Sequence, residues 1–134
     1  MSALAADRNT PLKDGELIAV PVAAAAKIFA GALVAASATG FATPGATATT
    51  LTYLGRAEAM ADNTAGANGA ISVQVRRKKA FKWANLGADL VVQADLGKNC
   101  YIVDDQTVAK TNGGSTRSVA GKVLGVESDG VWVE

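Results

Sequence analysis

The stretch AISVQVRR, residues 70–77, alternates without a break. Ile71, Val73 and Val75 fall on one side, and Ser72, Gln74 and Arg76 on the other. A period of two is the mark of a half-buried strand, and no helix presents it as a face. Similar short runs recur, each closed by turn residues: ELIAVPV (16–22), ALVAAS (32–37), TLTYLGRAEAM (50–60), CYIVD (100–104), SVAGKVLGVE (118–127) and GVWVE (130–134). Pro21 predicts an edge position for the first run. Gly55 predicts a bulge in the third. Ser128-Asp129-Gly130 predicts a tight hairpin turn with the glycine at positive φ. Helical signal is confined to the alanine run 23–26 and to one turn in LVVQADLGK (90–98), closed by Gly97. The expected fold is mainly β, a small β-barrel or β-sandwich domain with an extended N-terminal arm. Little helix is expected, under about a fifth of the residues.

The arm is the segment MSALAADRNTPLKDG, residues 1–15, which follows neither period. Asp7, Asn9, Pro11, Asp14 and Gly15 form turns and extended chain, and Pro11 biases Thr10 away from helix. An arm that a partner orders is one reading, and a frayed terminus is the other. Residues 16–134 are expected to form one β-rich domain, a normal size for a single core. Within it, an offset of 66 residues places Gly31 on Gly97, Val34 on Cys100, Ala36 on Ile102, Gly55 on Gly121 and Arg56 on Lys122. That offset predicts two similar lobes.

Composition narrows the chemistry. The chain has 28 alanines and only seven aromatic residues, so its 49% apolar content buries less area than the figure implies. A thin core predicts reliance on partners or symmetry mates. There is no histidine, which removes the commonest general base and metal ligand. Cys100, the single cysteine, sits among apolar neighbours and reads as a small core residue. The apolar stretch 17–38 carries Lys27 at its centre and Pro21 near its start, which is unfavourable for a membrane span. Asp14 and Glu16 stand where a signal peptide is basic. A soluble chain made in the cytoplasm is expected.

Catalytic patterns are scarce in the chain. GANGA (66–70) reads as a turn between strands, not a nucleotide loop. Asp62-Asn63 and Asp104-Asp105 read as turns more readily than as a cation site. No catalytic residue, cofactor site or metal ligand is assigned. The exception to blandness is VQVRRKKAFKW (73–83), with five cations between Arg76 and Lys82. The remaining chain holds 8 bases against 12 acids. Continued as a strand, the run would send Arg76 and Lys78 to one face and Arg77 and Lys79 to the other. Three uses stay open: an acidic protein surface, a solvated strand end, or nucleic acid with Phe81 and Trp83 as stacking platforms.

ADRNTP near the start, the Gly-Ala-Leu-Val strand, LGRAEAMADN, VQVRR, GKNCYIVDDQTVA and AGKVLGVESDGVWVE together carry a family resemblance. The chain resembles the small head proteins of tailed bacteriophages and Mu-like prophages, the capsid decoration or cement proteins. The resemblance spans nearly the whole chain and rests on general pattern, with no residue-level motif to carry over. It implies a compact β-rich domain on the capsid exterior, a homotrimer, and the major capsid protein as partner. It implies no enzymatic activity and no cofactor. On that expectation the contact residues are Leu4, Asp7, Arg8, Asn9 and Leu12 of the arm and Arg76, Lys78 and Lys79 of the basic run. The alternative is a nucleic-acid-binding module using residues 76–82.

Overall fold

In the computed structural model, which describes residues 2–134, the period-two runs become strands. The first set is β1 Leu17–Pro21, β2 Lys27–Ile28, β3 Leu33–Ala36, β4 Ala42–Pro44, β5 Thr52–Ala57, β6 Ala61–Asp62 and β7 Ser72–Arg76. The second is β8 Phe81–Asn85, β9 Asn99–Ile102, β10 Thr107–Ala109, β11 Val119–Glu127 and β12 Gly130–Val133. The helical content of the described residues is two 3-10 turns, Gly87–Asp89 and Gln93–Asp95. The protein is mainly β, as expected, and five of its strands close into a barrel. No helix among the described residues is long and apolar enough to cross a membrane.

The strands divide into two lobes with one path. In the first lobe the order is β1-β7-β5-β3-β4; in the second it is β8-β12-β11-β9-β10, with β10 returning to β8 to close the barrel. The 66-residue offset recurs in the pairing. Val34 faces Gly55 and Leu33 faces Arg56, while Cys100 faces Gly121 and Asn99 faces Lys122. Each ladder shifts register beside its glycine, which is the bulge expected at Gly55. Gly31 N–H donates to the Ala57 carbonyl at 2.8 Å, and Gly97 N–H to the Val123 carbonyl at 2.8 Å. Both glycines hold positive φ, +82° and +79°, where a Cβ is strained.

Closure differs between the lobes for a local reason. In the barrel, Ala84 N–H donates to the Gln106 carbonyl and Leu86 N–H to the Val108 carbonyl. In the first lobe, Ala23 N–H donates to the Ala42 carbonyl, the counterpart of the second of these bonds. Matching Ala23 to Leu86 sets a local offset of 63 residues along these two strands, so the counterpart of Ala84 is Pro21, which has no N–H. A single parallel bridge, Val22 to Ala42, is what remains of the seam. Pro21 thus leaves β1 at the end of its sheet.

Two clusters of buried side chains fill the lobes. Val20, Val22, Ile28, Val34, Val73 and Val75 lie in the first. Phe81, Trp83, Cys100, Ile102, Val108, Val123, Val131 and Val133 lie in the second. Strand β3 belongs to both. Val34 packs in its own lobe, whereas Leu33 and Ala35, pointing the other way, pack into the barrel's cluster. Each fully buried valine or leucine contributes about 1.5–3 kcal/mol. Only seven of the 28 alanines are buried, so valine makes up the core.

The alanine run, helix-favouring but short, forms a turn: Ala25 sits at φ +60°, and the Asn68 side chain accepts from Ala24 N–H at 2.7 Å. Two local expectations need correction. The hairpin between β11 and β12 has Ser128 and Asp129 as its loop, and Gly130 is not at positive φ. A Cβ at Gly130 would instead press on the Lys82 side chain and the Trp83 carbonyl. Most consequential, the basic run is not one strand. β7 ends at Arg76, Lys78 turns the chain at φ +59°, and β8 begins at Phe81. The run is the connection between the lobes.

Candidate binding site at the lobe junction

Because the chain turns at Lys78, the four residues Arg76 to Lys79 do not alternate between two faces. They gather at the junction. Arg76 stands opposite Arg56 across β5 and β7. Two like charges directly opposed destabilise a sheet. Glu58 resolves this conflict: it pairs with Arg56 and accepts from Arg76 at 3.5 Å. The two guanidinium groups, Arg56 first, hold the Glu58 carboxyl below its ordinary pKa. The Arg56 guanidinium also lies 5.0 Å from the centre of the Phe81 ring.

Lys79 pairs with Glu16 at 3.1 Å. Lys82, the last cation of the run, lies on β8 and reaches Asp129 at 2.8 Å and Glu127 at 3.9 Å. The hydrogen bond to Asp129 raises the Lys82 pKa and lowers that of Asp129. Lys82 also sits 5.7 Å over the Trp132 ring. The basic run therefore meets the acids that the rest of the chain has in excess. All these pairs are partly exposed, and such pairs contribute about 0–1 kcal/mol each.

Between the lobes lies a cleft of about 430 Å³. Arg56, Arg76, Lys79 and Lys82 line it together with Phe81, Trp83 and Trp132. Phe81 and Trp83 are 8% and 5% exposed, so they are walls of the barrel core and not free platforms. Trp83 Nε1–H donates to the Tyr53 hydroxyl at 3.3 Å, which ties the floor of the cleft to the first lobe. Nucleic-acid recognition by stacking on these rings, as the sequence suggested, lacks an open ring face at Phe81 and Trp83.

The arm starts at the same place. The Glu16 carbonyl accepts from Arg77 N–H at 2.7 Å, and a side chain at Gly15 would touch the Lys78 amine. Beyond this root the arm leaves the body. Leu4 and Leu12 are 74% and 94% exposed. Asp7, Arg8 and Asn9 are exposed as well, and among the described residues their side chains make no ion pair or hydrogen bond. Residues 2–14 hold one backbone bond among themselves, Thr10 N–H to the Arg8 carbonyl at 3.1 Å. The structure so brings Arg76, Lys78 and Lys79 to the arm's root, and leaves Leu4, Asp7, Arg8, Asn9 and Leu12 along the free arm.

The remaining candidates are accounted for locally. Asp62 accepts from Thr64 N–H at 3.1 Å and Asp104 from Gln106 N–H at 2.9 Å, both as turn formers. No cluster of three metal-ligating side chains occurs among the described residues. Sequence reading missed the Arg56–Glu58–Arg76 group. Its signal was faint: Arg56 and Glu58 share a parity two residues apart, but their pairing to Arg76 needed the β5–β7 register. No protein-family model, curated protein or solved structure matches this chain.

Proposed function

We propose that this protein is a capsid decoration, or cement, protein of a tailed bacteriophage, a structural virion component and not an enzyme. It binds the outer surface of the shell, as a homotrimer, and clamps neighbouring major capsid protein subunits together. The observation that carries the reading is the arm, rooted at the basic junction and lying free of its own body. A fully extended stretch of thirteen residues reaches about 43–47 Å. A compact body of this size has a radius of gyration of about 14 Å. The arm is thus long enough to lie across an adjacent subunit, where Leu4 and Leu12 enter apolar pockets and the backbone adds to a sheet edge. Arg76, Lys78 and Lys79 face the same contact and meet acidic groups of the shell.

The test is deletion of residues 2–14, read by shell binding and by a thermal melt. The truncated protein should melt within a few degrees of the full chain, because the arm contributes no buried contact, and should bind expanded shells much more weakly. Full binding by the truncated protein would return the arm to a frayed end. Unfolding would make it part of the core.

A further inference from the structure

We infer that the cleft at the lobe junction receives carboxylate side chains of an acidic, extended polypeptide segment. Its lining holds four cations, Arg56, Arg76, Lys79 and Lys82, and no acid. The acids that pair with them, Glu58, Glu16, Glu127 and Asp129, are not part of that lining, and each exposed pair contributes little, so an incoming carboxylate displaces one at little cost. The placement of Arg56 opposite Arg76 is costly for a bare sheet and productive for a carboxylate receptor. Two guanidinium groups side by side offer planar forks of donors that match carboxylate oxygens. Glu58 occupies only part of that capacity, since each guanidinium has five N–H groups.

The same geometry argues against nucleic acid as the occupant. Base recognition without pairing needs ring faces that a base can stack on. Arg56 already lies over Phe81 and Lys82 over Trp132, while Trp83 is buried and bonded to Tyr53. A carboxylate needs no ring face: the cation lying over each ring, Arg56 and Lys82, is itself the group that a carboxylate meets. An exposed run of carboxylates is all that the occupant must supply, and no residue of the arm lines the cleft.

The cleft contains its own reporter, because Trp83 and Trp132 are the only tryptophans and both line it. The experiment is a titration of the full chain with end-capped hexaglutamate at low salt, followed by intrinsic emission. A saturable change is expected, weakened by added salt. Arg76→Gln and Lys79→Gln should each weaken it roughly tenfold, the loss of about one charge-assisted contact. Lys110→Gln, away from the cleft, should leave it unchanged. Lys79 is half exposed, so its variant remains informative if Arg76→Gln fails to fold. A flat titration to millimolar peptide overturns the inference. So does an equal response to free glutamate, or a stronger response to an oligothymidylate that the same variants abolish. Any of these failures leaves the arm's role in shell binding standing, since deleting residues 2–14 leaves the cleft lining intact.

Discussion

Gly55 and Gly31 both hold positive φ, but a methyl group would meet different surroundings at each. At Gly55, φ +153°, a Cβ would run into the carbonyl of Arg76 on the neighbouring strand. At Gly31, φ +82°, it would meet nothing within 4 Å. Gly31→Ala should therefore cost only the left-handed strain, about 1–2 kcal/mol. Gly55→Ala adds an overpacking term of about 1–3 kcal/mol and should lower the urea midpoint further. Equal midpoints would contradict the close approach of β5 and β7. Two other side chains set the alkaline limit. Burial pushes the Tyr53 hydroxyl up to about 12 and the Cys100 thiol up to about 11. Both groups fold in the neutral form, with pKa values above those of the unfolded chain. The stability they contribute is complete below the unfolded values, 9.0 for the thiol and 10.0 for the hydroxyl, and drains away as pH rises toward 11 and 12. Circular dichroism across pH 8–12 should show the loss. At pH 8 the native Cys100 thiol, fully buried, should resist a thiol reagent until denaturant is added.

At the scale of elements, the junction turn separates two roles that one strand would have confused. Lys78 and Arg77 have no acidic partner among the described ion pairs, whereas Arg76 is held by Glu58 and Lys79 by Glu16. Lys78→Glu should leave the melt nearly unchanged, since exposed charges away from partners change stability by less than about 0.5 kcal/mol. Arg76→Glu should be destabilising, because it sets a second carboxylate beside Glu58. A thermal melt of the two variants distinguishes these outcomes. β7, which alternates over five residues, was legible in the sequence, and β11 was legible as a long apolar run closed by turn residues. So was the bulge at Gly55. β2, β4, β6 and β10 were not, because two or three residues show no period and are held by neighbours far along the chain. β8 was hidden for another reason. VQVRRKKAFKW keeps its apolar alternation on both sides of the turn, and only the φ of Lys78 breaks it. The contact between Arg56 and Arg76 was invisible because register, not composition, creates it.

On the scale of the whole molecule, the two lobes should unfold as one. Leu33 belongs to the first lobe by sequence and to the second by packing, and it is fully buried there. Leu33→Ala should cost about 2–5 kcal/mol. Its effect should appear equally in tryptophan emission, which reports the barrel, and in far-ultraviolet circular dichroism, which reports both lobes. Separate transitions would show that the lobes are independent. The sharing of β3 also has a consequence in time. On the ribosome, residues 17–76 emerge ahead of the barrel that covers their outer face. At about 5–20 residues per second, the 58 residues after Arg76 take roughly 3–12 s to synthesise. Throughout that interval the nascent chain carries Leu33 and Ala35 on a strand face with no cover. Crowded polysomes therefore bring uncovered copies of this face together, and the yield of folded protein should rise under weak induction, which lowers the number of nascent chains present at once, and should fall where elongation is slowed at the same chain density.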